Sequence, residues 1–433
     1  MATVMCMAVY AVFSAALYLW TIRSKQYDTM FPVAGCLLGI VLIFFLVLNV
    51  FLFCGNKRIR QGMIMAGVLM NLGMSIYYAS WSDPWKLAEN PEKVTFFTML
   101  KSIGVVDVIL MSGVFLVVSL IICHTKVYRF RAVNLIIMAM LPVIVFGARL
   151  TGKATKGSYL EFGGIMIFCI LAGWPFVAAT FLTMEERRYL NSDVKMPGWN
   201  SLLMLGYMGL IFIGSAKANE FGLILVMAVT GSILFFISCK SMRAKLFYSI
   251  ACMMLAGLAA LKVTHIHTRL EAFLDPVGTS NKETAESILY LFRSIPHAGF
   301  FGFGIGDGFS RKIIDAVDSD YALDLIILNY SIIVAAMLII LMMLFCKWFF
   351  KVQEGLCDYD RYLNLTAALI VITVSLTHVA SNLGSFISAG IPLAFVSKAP
   401  QINIMFSIFM GMHTGLLGKE RFQWSEDVED TEV

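Results

Sequence analysis

The chain has 433 residues, of which 59% are hydrophobic and 14% charged, with a formal net charge of +5. Chains of that composition do not fold in water, which excludes a soluble globular domain and leaves a polytopic integral membrane protein. The small positive balance suits cytoplasmic Lys and Arg and gives no sign of a nucleic-acid partner. Nine cysteines are scattered as singles, mostly inside apolar runs (Cys36, Cys169, Cys252), so no zinc site or disulfide framework is readable.

Apolar runs bounded by charge clusters predict an all-α bundle of about twelve membrane-spanning helices. They fall near residues 3–20, 31–53, 61–81, 102–122, 132–148 and 163–184, then 200–216, 219–238, 244–262, 321–346, 364–388 and 401–418. The first run lacks a basic leader and a small-residue cleavage site, so it is expected to be a retained span. The short link Ser215-Ala-Lys-Ala-Asn-Glu220 makes spans seven and eight a tight hairpin.

Lys and Arg concentrate in alternate loops: Lys57, Arg58 and Arg60, then Lys126, Arg129 and Arg131, then Arg187, Arg188 and Lys195. Lys240, Arg243 and Lys245 continue the series, followed by Lys347, Lys351 and Arg361. The intervening loops are sparser, except the one carrying Arg149, Lys153 and Lys156. The positive-inside rule then puts both termini in the cytoplasm and the long ninth loop, residues 263–319, outside. The tail after Gln423 is acidic and reads as a solvated cytoplasmic end.

That ninth loop interrupts the apolar pattern with Arg269-Leu-Glu-Ala-Phe-Leu-Asp275-Pro276 and Ala298-Gly-Phe-Phe-Gly-Phe-Gly-Ile-Gly306. Asp318-Ser-Asp320-Tyr follows at the mouth of the next apolar run. Long loops between hydrophobic spans tend to be functional, and an acid where a polar loop re-enters the bilayer is costly to bury. Asp320 has two readings: a reactive carboxylate, or an N-cap for a helix starting at Tyr321. Asp324 lies one helical turn further on the same face, where it would share a charge or a cation with Asp320, or make a polar contact to another helix. A divalent cation (Mg or Mn) between them is conceivable, but two acids are too few to assign a metal site. Gly299, Gly302, Gly304 and Gly306 permit close backbone approach and positive φ; a structural turn is the favoured reading over a phosphate cradle. His265, His267 and His297 lack a further ligand at metal spacing and are expected on the surface.

These motifs resemble those of the SEDS family, the FtsW/RodA/SpoVE-type glycosyltransferases that polymerise peptidoglycan from lipid II. The family's Arg-(Leu/Ile)-x-x-(Phe/Trp)-x-x-Pro fits Arg269 to Pro276. Its Gly-Gly-x-Phe-Gly-x-Gly-x-Gly fits residues 298–306 except at Ala298, and its (Thr/Ser)-Asp-Phe fits Ser319-Asp320-Tyr321. Weaker matches are Gly147-Ala148-Arg149, Asn219-Glu220-Phe221-Gly222, Asn382-Leu-Gly384 and Gly390-Ile-Pro-Leu-Ala-Phe-Val-Ser397. The chain departs where the family has Gln-Pro-Ser-Glu, replaced by a segment ending in Trp174; where it has Glu-Glu, replaced by Asn329-Tyr330; and where Lys398 follows Ser397.

The resemblance covers residues 131–418, with residues 1–130 as N-terminal helices partly additional to that core and 419–433 as the tail. It implies a peptidoglycan polymerase of the bacterial cytoplasmic membrane, serving cell division or cell shape. Its substrate would be lipid II, an undecaprenyl-diphosphate-linked sugar, and its partner a class B penicillin-binding transpeptidase. Asp320 would then be the general base. Arg269 would hold the diphosphate, with Arg149, Lys153, Lys156 and Lys398 as further candidates. A lipid-precursor transporter, with acids such as Asp107 and Glu220 at bilayer depth, and a non-catalytic scaffold remain as rival readings.

Overall fold

The computed structural model describes residues 57–81, 105–151, 154–155, 159–160, 163–191, 199–216, 221–262, 264–278, 282–302, 319–351, 356–387 and 390–422. The spans expected at 3–20 and 31–53 lie outside these. Among the described residues thirteen α-helices form the protein, with one hairpin of two-residue strands, Ala154–Thr155 paired antiparallel with Tyr159–Leu160. In chain order they are α1 (Lys57–Trp81), α2 (Val105–His124), α3 (Arg131–Thr151), α4 (Gly163–Asn191), α5 (Trp199–Ala216), α6 (Phe221–Ser238) and α7 (Met242–Lys262). There follow α8 (Thr264–Leu274), α9 (Lys282–Ala298), α10 (Ala322–Asn329), α11 (Ile332–Phe349), α12 (Asp358–Asn382) and α13 (Pro400–Phe422).

By length and composition two of the described helices, α11 and α12, can cross a membrane, and four shorter apolar helical stretches lie in α2, α3, α5 and α6. Large apolar side chains stay exposed on the outward faces, among them Val117 on α2, Ile136 and Val143 on α3, Ile213 on α5 and Ile340 on α11. Apolar surface on so many helices is far more than a soluble monomer displays, and it is what a hydrocarbon solvent requires.

The helices pack through small residues. On α13, a β-carbon at Gly411 would stand 2.8 Å from the Phe115 carbonyl, and one at Gly415 would stand 2.8 Å from that of Ser119. This Gly-x-x-x-Gly face lets α13 lie directly on α2, the packing device of membrane helices. Helix α2, which precedes residue 131, is therefore part of the bundle rather than an appendage to it. Next to that pair, buried Asp360 accepts from Tyr128 Oη at 2.9 and 3.1 Å and from both Arg129 Nε (3.1 Å) and Arg129 Nη2. Lys419 Nζ donates to Tyr128 Oη at 2.6 Å, so the α2–α3 turn, the start of α12 and the end of α13 are tied at one point. Burial, with the Asp360 charge beside it, pushes the Tyr128 phenol well above its ordinary value and keeps it protonated.

One sequence expectation is corrected. The tenth span, expected as one helix over 321–346, is two: α10 ends at Asn329, Ser331 is fully extended (φ 174°), and its Oγ accepts from Val334 N at 3.0 Å to cap α11. An N-capping serine restarts a helix more readily than it continues one. Within the ninth loop, α8 and α9 occupy much of the chain.

Candidate functional site

The break between α10 and α11 is where the glycine motif docks. Gly302, at φ +68°, has no β-carbon; one there would stand 2.8 Å from the Leu328 carbonyl and 3.0 Å from Tyr330 C. Only glycine admits that approach with that backbone. Gly299, also at positive φ, turns the chain out of α9 into open space. Gly299 and Gly302 both adopt positive φ, while Gly304 and Gly306 lie outside the described residues.

Asp320 sits in a turn ahead of α10. The N-cap position belongs to Tyr321, which makes no side-chain capping bond. The capping reading of Asp320 is therefore not realised; its Oδ1 instead accepts from Ser319 Oγ at 3.0 Å. Arg269, from the second turn of α8, reaches the same place. A β-carbon at Gly390 would stand 3.4 Å from Asp320 Oδ2 and 3.7 and 3.9 Å from Arg269 Nη1 and Nη2. Gly390 is at φ +61°, backbone that favours glycine, and both groups lie at ordinary contact distance from its β-carbon position. Three segments distant in sequence meet here: α8, the turn before α10, and the loop after α12.

That last loop is itself rigid. Ser397 N and Val396 N donate to the Leu393 carbonyl at 3.0 and 3.2 Å, and Leu393 N donates to Ser397 Oγ at 2.7 Å. Phe395 occupies left-handed backbone (φ 61°), a strained state for a non-glycine, and its N–H is held by Asn403 Oδ1 at 2.9 Å. Ser397 Oγ donates to the Ser319 carbonyl at 2.6 Å, and Asn382 Nδ2 donates to the Asp320 carbonyl at 3.0 Å. Lys398, one residue past Ser397, is exposed beside this contact.

Asp324 does not pair with Asp320 along a helix face, because Asp320 precedes the helix. It is 1% exposed, its N–H donates to Asn382 Oδ1 at 3.3 Å, and its own Oδ1 has no hydrogen-bond partner among the described residues. His378, one turn before Asn382, is equally buried; its Nδ1 lies 2.7 Å from the Ile391 carbonyl and its Nε2 is unpartnered among the described residues. No group of three His, Cys, Asp or Glu side chains able to hold a metal occurs among the described residues.

Of the other cations expected at the site, Lys153 and Lys156 lie outside the described residues. Arg149 belongs to α3, and its side chain is not described. His267 and His297 are exposed as expected. Where the resemblance would place polar Gln-Pro-Ser-Glu, Trp174 is fully buried and stacked on Tyr207 with ring centroids 6.5 Å apart, a packing residue. The sequence reading missed His378 altogether and used Arg129 and Arg361 only as loop charges, although each is in an ion pair (Arg129–Asp360; Arg361–Glu186, 2.8 Å). Two polar residues four apart on apolar α12, His378 and Asn382, were the available signal.

This helical fold is shared with solved proteins. A chain of the structure described as "Structural coordination of polymerization and crosslinking by a peptidoglycan synthase complex" superposes with a TM-score of 0.60 at 14% identity, covering 84% of this chain and 98% of that one. Since residues 131–433 are a smaller share than that, the likeness takes in residues before Arg131 and is wider than the 131–418 interval read from motifs. In sequence, the chain is similar to a probable peptidoglycan glycosyltransferase, FtsW of Enterococcus hirae, with 21% identity over 277 residues, 58% of this chain and 67% of that protein. No family model matches.

Proposed function

We propose that this protein is a peptidoglycan glycosyltransferase that polymerises lipid II at the outer face of a bacterial cytoplasmic membrane. The observation that carries the reading is the meeting of Asp320 and Arg269 at Gly390. In the reaction a sugar hydroxyl of the acceptor attacks the anomeric carbon of the donor. The new C–O bond forms as the bond to the lipid diphosphate breaks, and the hydroxyl proton passes to Asp320. A hydroxyl is a weak nucleophile at neutral pH, so a positioned carboxylate base is the group the step needs. Arg269 offers a planar fork of donors to the departing diphosphate, whose charge grows as the bond breaks. Lys398, Arg149 in the last turn of α3, and Lys153 and Lys156 beyond it in the sequence supply further positive charge to the headgroup. The relatives' names support a part in peptidoglycan synthesis.

The same reading places both termini in the cytoplasm, the polyprenyl tail among membrane lipids, and a class B penicillin-binding transpeptidase alongside to cross-link the product. The deciding experiment is reconstitution of the full chain with labelled lipid II. Long glycan strands support the proposal. Flipped monomer without polymer would make it a precursor transporter, and neither product, with the transpeptidase present, would make it a scaffold.

A further inference from the structure

We infer that Ser397 and Asn382 are positioning residues that fix the backbone of Asp320 from both sides, an assignment that rests on the proposed role of Asp320 as base. A residue's backbone has two soft dihedrals, φ and ψ, which relate the peptide plane before its Cα to the plane after it. Ser397 Oγ donates at 2.6 Å to the Ser319 carbonyl, an atom of the first plane. Asn382 Nδ2 donates at 3.0 Å to the Asp320 carbonyl, an atom of the second. With both planes held, φ and ψ of Asp320 are set, and the Ser319 Oγ bond to Oδ1 at 3.0 Å restrains the side chain that remains.

The clamp is needed because the helix does not supply this order. Asp320 lies outside α10, and the N-cap Tyr321 makes no side-chain capping bond. Each jaw is anchored in turn. Ser397 Oγ accepts from Leu393 N at 2.7 Å, and the Ser397 carbonyl accepts from Asn403 Nδ2 at 2.9 Å. Asn382 Nδ2 also donates to the His378 carbonyl at 3.0 Å, while Asn382 Oδ1 accepts from Asp324 N at 3.3 Å. Asn382 thus bridges the turn and the first turn of α10, and both jaws are buried. A catalytic group must be held within about 0.5 Å of its productive position, and misplacement by about 1 Å can cost on the order of a hundredfold in rate.

The test uses the full chain in lipid nanodiscs: wild type, Ser397→Ala, Ser397→Thr, Asn382→Ala and the Ala double variant. Polymerisation rate, lipid II affinity and amide hydrogen exchange are measured on each. The expected result is a fall in kcat of about tenfold or more in each Ala variant, with KM and lipid II affinity within about twofold. Ser397→Thr, which keeps the hydroxyl, should recover most of the rate. Exchange should quicken over residues 319–325 and stay unchanged over 358–377 and 400–422. Wild-type rates in both Ala variants would overturn the assignment, as would loss of protection across all of α12 or failure of Thr to rescue. If the wild-type chain polymerises nothing, the enzymatic reading fails on its own, and unchanged exchange at 319–325 in the Ala variants overturns the clamp separately.

Discussion

Arg269 and Asp320 come to within van der Waals range of one point in space. The position a β-carbon would take at Gly390 is 3.7 Å from Arg269 Nη1 and 3.4 Å from Asp320 Oδ2. An acid and a guanidinium from segments far apart in sequence thus share one place, the base and the phosphate fork of the proposed reaction.

Replacing the proposed base is the sharpest test. Asp320→Asn keeps volume but cannot accept a proton at neutral pH, and general-base catalysis is worth about 10² to 10⁴ in rate. Because Asp320 does not cap α10, the variant should melt at the wild-type temperature and bind lipid II, yet lose polymerisation by that factor. Long glycan strands from Asp320→Asn would remove the catalytic assignment.

Arg269→Lys keeps the charge and loses the planar fork. A charge-assisted hydrogen bond contributes about 1.5 to 3 kcal/mol, so polymerisation should fall roughly 10- to 100-fold with the yield of folded protein unchanged. Full turnover in the Lys variant would count against fork-like recognition of the diphosphate.

Asp324 should behave differently from its neighbour. Its side chain is buried with Oδ1 unpartnered among the described residues, and its link to Asn382 runs through its own backbone N–H. Asp324→Asn removes a carboxyl whose burial is costly and leaves that link intact. Activity should stay within about tenfold of wild type, a far smaller loss than general-base removal gives, and thermal stability should rise. A loss as deep as that of Asp320→Asn would give Asp324 a part in the chemistry.

The Asp360 tie is structural, at a distance in sequence from every proposed site residue. Asp360 is fully buried beneath Arg129, Tyr128 and Lys419. Removing one partner of a buried ion pair costs about 3 to 5 kcal/mol, since the other charge is left without its counter-ion. Asp360→Ala should melt well below wild type, and Asp360→Asn should recover part of the loss by accepting from Tyr128. An unchanged melting temperature for Asp360→Ala would show the cluster to be solvated.

Topology can be read directly. Val277, 82% exposed just after α8, lies in the loop expected outside the cell. In a cysteine-free background, Val277→Cys should react with an impermeant thiol reagent in intact cells. Reaction only after permeabilisation would put the Asp320 site on the cytoplasmic side and end the proposed function.

Hydrophobic runs and glycine motifs are local properties, so the sequence alone determined that the chain is helical, where most helices lie, and that Arg269 and Asp320 are worth pairing. The break at Tyr330–Ser331 stayed hidden because 321–346 is apolar apart from Asp324, Asn329 and Ser331, and a few polar residues in a long apolar run do not mark where a helix stops. Asn382 was legible only as a weak motif match, and Asp324 was open between a charge shared with Asp320 and a polar contact to another helix. What the tertiary structure decided is which groups share a place: hydrogen-bond partners such as Ser397 and the Ser319 carbonyl are 78 residues apart, and no spacing rule in a sequence reports a contact that only the packing of helices against one another creates.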